Sequence, residues 1–107
     1  MCLIAFAKNV HPSYPLVLIA NRDEFYSRPT RPAQFWNHEN IPHLLAGKDL
    51  DGGGTWMGVT KSGFWAALTN YRDPNWKREN PPTRGNIVLG YLKSEIEPKT
   101  YLNWLQD

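Results

Sequence analysis

The chain contains one cysteine, Cys2, directly behind the initiating methionine. Methionine is commonly trimmed when a small residue follows, which would leave a thiol and a free α-amine on the same residue. A free α-amine titrates near about 7.7–8.0 and a free thiol near about 8.5. Such an amine can take the thiol's proton close to neutral pH, the logic of nucleophiles paired with an N-terminal amine. The plainer reading of Cys2 is a small apolar residue opening a strand, a frequent role for free cysteine.

Asn21-Arg22-Asp23-Glu24 is the densest polar cluster, at the end of the apolar run Leu16–Ala20. Polar strand ends are usually turns. Pairing of this run with Leu3–Ala7 changes the weighting, because it places Asn21, Arg22 and Asp23 beside Cys2. The Asp23 carboxylate can then orient the amine, and the Arg22 guanidinium can support a thiolate or, with Asn21, bind a substrate. Asn70 is expected to close another strand, where its amide could donate to a developing oxyanion; otherwise it is a turn residue before Tyr71-Arg72-Asp73-Pro74. Gly52-Gly53-Gly54 lacks phosphate-loop spacing, and Gly47-Lys48 is followed by Asp49, so a flexible hairpin or close-packed backbone is the better reading there. His11, His38 and His43 lack zinc-type spacing, although one could ligate haem. Lys48, Asp49 and Asp51 suggest a charged rim. No metal or resident cofactor is expected.

The elements that must position these residues follow from pattern. Residues 2–8 and 16–20 read as two buried strands flanking a two-proline turn. The segment around Pro29, Pro32 and Phe35-Trp36 reads as an irregular excursion. Strand signals resume at 44–47, 55–60 and 64–70, with Lys61-Ser62-Gly63 as a hairpin turn. Residues 71–83 read as a polar, proline-rich loop. Thr83 is placed to cap a helix over 84–93 with Ile87, Val88, Tyr91 and Leu92 as its apolar stripe. Pro98 suits the first turn of a second helix, with Tyr101, Leu102 and Leu105 on one face.

About five strands followed by two helices make an α+β arrangement, an antiparallel sheet with a helical layer. The strands are apolar on both faces, a pattern of sheets buried on both sides. One sheet face is therefore expected to be uncovered, and able to associate with further sequence or another chain. Residues 1–107 are read as one domain, incomplete at its C-terminus.

Composition bounds the function classes. The chain has 107 residues, 41% hydrophobic content and a formal charge of +2. That charge carries no nucleic-acid footprint. Arg22, Arg28 and Arg31 are interrupted by acids, and aromatics near Lys77 and Arg78 are too sparse for a stacking platform. One cysteine precludes an internal disulfide, and the expected setting is cytoplasmic. The first apolar run is broken by Lys8 and Asn9, too soon for a signal peptide, and no run approaches a membrane span.

Several segments carry a resemblance in colinear order. They are Met1-Cys2-Leu3-Ile4, Ala20-Asn21-Arg22-Asp23-Glu24-Phe25-Tyr26 with Arg28-Pro29, and Ala46-Gly47-Lys48-Asp49. Gly53-Gly54-Thr55-Trp56-Met57-Gly58-Val59, Ala66-Ala67-Leu68-Thr69-Asn70-Tyr71-Arg72 and Arg84-Gly85 complete the set. Together they resemble the NRDE family, the family of the transport and Golgi organisation protein 2. The resemblance implies a likeness to N-terminal nucleophile (Ntn) hydrolases, whose fold is an αββα sandwich, with this chain as its first half. Among these, bile-salt and penicillin amidases begin with cysteine. By that analogy Cys2 is the nucleophile, Asp23 orients the amine and Asn70 serves the oxyanion. An arginine those amidases carry before the matching Asn is absent, Ile19 and Ala20 standing in that stretch. The implied function is a cysteine amidohydrolase acting on a non-peptide C–N bond of a small molecule. The alternative is a non-catalytic protein binding or trafficking haem or a lipid-derived metabolite on a degenerate Ntn fold.

Overall fold

Two apolar runs joined by a proline-bounded reversal pair as a hairpin. A computed structural model describes residues 1–71, 73–75 and 79–107. Arg72, the end of one motif, and Trp76, Lys77 and Arg78 in the 71–83 loop lie outside the described residues. The chain divides into two compact units, Met1–Phe25 with Thr69–Lys77, and Tyr26–Leu68 with Arg78–Asp107.

The first unit is built on the antiparallel strands β1 (Leu3–Lys8) and β2 (Leu16–Asn21). Leu3 pairs with Asn21 and Lys8 with Leu16. Asn9 takes a left-handed conformation (φ 56°), and its amide donates to the Pro15 carbonyl at 2.8 Å, closing the turn. Residues paired across the ladder share a face, and successive pairs alternate. Leu3 and Ile19 thus lie on one face, Phe6 and Leu16 on the other. At 60%, 68%, 70% and 50% exposure respectively, both faces show large apolar groups.

The second unit is a four-stranded antiparallel sheet in the order β3 (Thr30–Trp36), β4 (Ile41–Asp49), β5 (Met57–Thr60) and β6 (Trp65–Ala67). β3 corrects the irregular excursion expected there. Proline removes a ladder donor, but an edge strand tolerates it. Here the pairing shifts register between Arg31 and Gln34, around Pro32. The Trp36 indole N–H donates to the Ala46 carbonyl at 3.0 Å, anchoring that edge. β4 begins three residues earlier than its apolar run suggests, and β6 stops at Ala67. Asn70 therefore lies beyond a strand and does not close one.

Helix α1 (Gly85–Ser94) packs on β4, β5 and β6. Its buried side is Val88, Tyr91 and Leu92; Ile87, expected in the stripe, is exposed. Thr83 is not the cap residue itself, yet its hydroxyl accepts from the Gly85 amide at 3.3 Å. In α2 (Pro98–Gln106), the Glu97 carboxylate caps the Lys99 and Thr100 amides at 3.0 and 2.8 Å. Only Tyr101 of the expected face is buried, its hydroxyl donating to the Ile87 carbonyl at 2.7 Å; Leu102 and Leu105 are exposed.

Trp36, Ile41, Leu44, Ala46, Val88, Tyr91, Leu92 and Tyr101 form the core. Fully burying a side chain such as Leu44, Leu92 or Val88 contributes roughly 1.5–3 kcal/mol. A β-carbon on Gly54 would lie 2.7 Å from the Gly85 carbonyl carbon, so the triple-glycine loop abuts the start of α1 backbone to backbone. Of the two readings of these glycines, close-packed backbone holds at Gly54, whereas a β-carbon on Gly53 would meet nothing within 4 Å. The sheet's other face leaves Phe35 and Val59 exposed, as expected of a sheet covered on one side. The architecture is α+β, with antiparallel sheets and two helices.

Candidate functional site

The first unit gathers the residues singled out at its N-terminal end. The β1–β2 register ends at the Leu3–Asn21 pair, so the next residues outward are Cys2 on one strand and Arg22 on the other. Asn21 fastens this end with both polar atoms of its side chain. Its Oδ1 accepts from the Leu3 amide at 3.1 Å, and its Nδ2 donates to the Met1 carbonyl at 2.9 Å. The peptide segment on either side of Cys2 is thereby held.

Asp23 approaches Cys2 in two ways. Its backbone N–H donates to Cys2 Sγ at 3.2 Å. Its carboxylate Oδ2 lies 2.6 Å from the α-ammonium of Met1. That contact is to the amine of Met1, whereas the role expected of Asp23 concerns the amine of Cys2, whose nitrogen here lies in a peptide bond. Asn70 reaches the same cluster from the second segment of the unit, its Nδ2 donating to the Asp23 carbonyl at 3.3 Å. Arg22 pairs with Glu24 at 3.7 Å, both side chains about four-fifths buried. Cys2, Asn21, Asp23 and Asn70 are linked by these bonds, with Arg22 adjacent in sequence. Cys2 itself is half-buried and its thiol is free.

Chemically the arrangement brings together a thiol, a carboxylate that holds an amine, and side-chain amide donors. Asn21 was legible as a polar strand-end residue. Its two-sided grip on the Cys2 segment was not, because it depends on the register of the ladder.

Other clusters lie in the second unit. Arg28 holds Asp49 through Nε at 3.1 Å and Nη2 at 2.7 Å, and this keeps the Asp49 carboxyl below its usual range. Arg31 Nη2 at 2.5 Å and Lys48 Nζ at 3.2 Å share Glu39 Oε1. The Arg31 hydrogen bond foremost, with Lys48 beside it, brings the Glu39 carboxyl from 4.5 down to about 2. Ser62 and Thr60 hold Glu95 low in the same way, Ser62 Oγ donating to its carboxylate. These pairs tie strands and helix ends together. The charged rim expected at Lys48, Asp49 and Asp51 is accordingly a set of ion pairs and turn bonds, Asp51 N–H donating to Asp49 Oδ1 at 3.1 Å.

The His11 ring packs against Tyr14 with centroids 5.0 Å apart and planes tilted by 39°, and His43 Nε2 lies 3.3 Å from the Leu92 carbonyl. Among the described residues, no group of three or more His, Cys, Asp or Glu side chains is placed to hold a metal ion. No described helix is long and apolar enough to cross a membrane.

The family model for Transport and Golgi organisation 2 matches residues 1–107, and the NRDE family is the same family under another name. The chain is 43% identical over 109 residues to a Transport and Golgi organization protein 2 homolog of Bos taurus, covering 95% of this chain and 38% of that protein. It is 40% identical over 111 residues to the Homo sapiens homolog, with the same coverage. With the Drosophila melanogaster Transport and Golgi organization protein 2 it shares 36% identity over 113 residues, 97% of this chain and 39% of the other. The chain thus spans about two-fifths of the length of the curated relatives it matches. No solved structure matches it.

Proposed function

The chain belongs to the Transport and Golgi organisation 2 family, and from that premise we propose that it carries the nucleophile of a cysteine N-terminal-nucleophile amidohydrolase. Its substrate class is a small molecule with a non-peptide amide bond, its fold the first half of an Ntn-like αββα sandwich, and its setting the cytoplasm. One observation carries the reading. Asp23 binds the chain's α-amine through its carboxylate at 2.6 Å and Cys2 Sγ through its backbone at 3.2 Å. Trimming of Met1 moves the amine one residue along, onto the residue whose sulfur Asp23 already contacts.

In the trimmed chain the Cys2 α-amine takes the Sγ proton, and the thiolate attacks the amide carbon. Negative charge collects on the carbonyl oxygen, where Asn70 is the proposed amide donor, its Nδ2 resting meanwhile on the Asp23 carbonyl. Collapse breaks the C–N bond, and the leaving amine departs with the proton held by the α-amine. Water then attacks the thioester, giving its proton to the α-amine, and the acid leaves with Cys2 restored as a thiol. Arg22 and Asn21 flank this end and are assigned to substrate binding.

The test is chemical. Intact mass should show loss of Met1, and iodoacetamide should label Cys2 rapidly well below the usual thiol range. Retained Met1 in protein from its native host, or labelling that follows an ordinary thiol titration, would remove the reading.

A second reading rests on the apolar groups Leu3, Phe6 and Ile19 displayed by the hairpin. Such a surface, in a chain whose relatives are named for transport, suits a carrier of haem or a lipid-derived metabolite, with haem as ligand and not as cofactor. Haem or acyl-chain titration of a Cys2→Ala protein separates the two, because a carrier keeps its affinity without the thiol.

A further inference from the structure

Asn21 and Met1 together show more than a fastening. The Met1 carbonyl is an amide carbonyl, the same group the proposed reaction attacks, and it rests 2.9 Å from Asn21 Nδ2. It is joined directly to the nitrogen of Cys2, so the donor is aimed at the immediate surroundings of the nucleophile. The other half of the Asn21 side chain is committed elsewhere, its Oδ1 accepting from the Leu3 amide at 3.1 Å. That bond belongs to the β1–β2 ladder end and does not involve Met1. It keeps the amide plane, and with it the direction of Nδ2, when Met1 leaves.

Trimming hydrolyses the Met1–Cys2 peptide bond. Water supplies oxygen to the Met1 carbonyl carbon and hydrogen to the Cys2 nitrogen, and methionine departs with its carbonyl oxygen. Asn21 Nδ2 then loses its acceptor while Cys2 gains its α-amine. Resting on the Ntn reading above, we infer that Asn21 Nδ2 is an oxyanion donor of the mature site, capped by the Met1 carbonyl until that residue is removed. Two changes needed for acyl transfer, a general base and a free donor, thus come from one cleavage. In the first step the Cys2 Sγ to carbon bond forms, and the carbonyl electron pair moves onto oxygen within reach of the Asn21 N–H. Collapse of that oxyanion expels the leaving group. Asn70 and Asn21 then supply two amide donors from the two segments of the unit, a common way to hold a tetrahedral oxyanion.

Two probes of the same sulfur separate this role from simple positioning. p-Nitrophenyl acetate acylates a thiolate through a tetrahedral oxyanion, releasing p-nitrophenolate. Iodoacetamide alkylates it at a saturated carbon, with no oxyanion formed. The protein is compared as trimmed and as Met1-retained forms, each verified by intact mass, with rates corrected by a Cys2→Ala protein. Asn21→Asp keeps an acceptor for the Leu3 amide but replaces the donor with a negatively charged carboxylate; Asn21→Leu removes donor and acceptor without adding charge, so a ratio common to both reports the lost donor. In trimmed protein, Asn21→Asp should slow the acylation burst by about a hundredfold relative to iodoacetamide labelling, the scale of a lost oxyanion donor. Asn21→Leu should give the same ratio. In Met1-retained protein the substitution should leave the ratio unchanged, because the donor is already occupied. If acylation and alkylation fall in parallel, Asn21 only positions Cys2 and the inference is overturned. A ratio unmoved in trimmed protein overturns it as well. Absence of any Cys2 acylation in trimmed wild type overturns the nucleophile reading, and this inference with it.

Discussion

The two units distribute apolar and polar residues in opposite ways. In the sheet-and-helix unit, Trp36, Leu44 and Leu92 are at most 1% exposed, and the charged residues are spent on ion pairs between elements. In the hairpin unit, no residue of β1 or β2 is fully buried, and the polar side chains of Asn21, Asp23 and Asn70 bond at the end of the ladder that carries Cys2. Stability is concentrated in one unit and candidate chemistry in the other. Substitutions should therefore separate: those in the core should alter folding, and those at the hairpin end should alter reactivity.

The sharpest test of that division is Cys2→Ala. It should abolish acyl transfer while shifting the urea midpoint little, within the range of about 0.5 kcal/mol typical away from a core. A large loss of stability would mean that Cys2 is structural and the division false. Trp36→Ala should do the reverse, costing about 3–5 kcal/mol in equilibrium unfolding through the lost indole and its cavity. Gly54→Ala forces backbone apart at the start of α1 and should cost about 1–3 kcal/mol, with iodoacetamide labelling of Cys2 unaffected.

Asp23→Asn belongs to the other unit. Hydrogen bonds to charged groups contribute about 1.5–3 kcal/mol. Half-exposure of this carboxylate keeps the expected effect at the lower end, so labelling of trimmed Cys2 near neutral pH should slow by roughly tenfold. The smallest effect is one of pH. Glu39 is held at about 2 in the folded chain against an ordinary 4.5. A carboxyl lowered on folding contributes stability above its unfolded value and loses it as pH falls through the folded one. Glu39→Gln should therefore be less stable than wild type by a constant amount above 4.5, and the difference should close as pH falls from 4.5 to about 2, flattening that part of the acid limb. An unchanged acid limb would assign the acid sensitivity to other carboxyls, Asp49 among them.

Local pattern was enough for elements stabilised by neighbours in sequence. The hairpin strands expected at 2–8 and 16–20 agree with Leu3–Lys8 and Leu16–Asn21. The Lys61-Ser62-Gly63 turn and the Pro98 helix start were equally legible. β3 was not, since Pro32 argues against a strand until an edge position removes the need for its donor. Nor was the division into a two-stranded and a four-stranded sheet, which depends on pairing between distant segments. At the site, proximity of Asp23 to Cys2 followed from antiparallel pairing alone. The grip of Asn21 on Met1 and Leu3 did not, because one step of register decides whether that side chain meets the opposite backbone.

The bond between the Asp23 carboxylate and the first α-amine has a practical consequence for handling the protein. An affinity tag or fusion partner attached ahead of Met1 converts that amine into an amide and removes its charge. It also keeps the Met1 carbonyl on Asn21. Protein purified through an N-terminal tag would enter an assay with the Cys2 nitrogen still in a peptide bond and Asn21 Nδ2 still on the Met1 carbonyl, and a negative result would leave the proposed nucleophile untested. Screening for substrates or ligands therefore calls for a C-terminal tag or an untagged chain, with the first residue verified by mass before any compound is added.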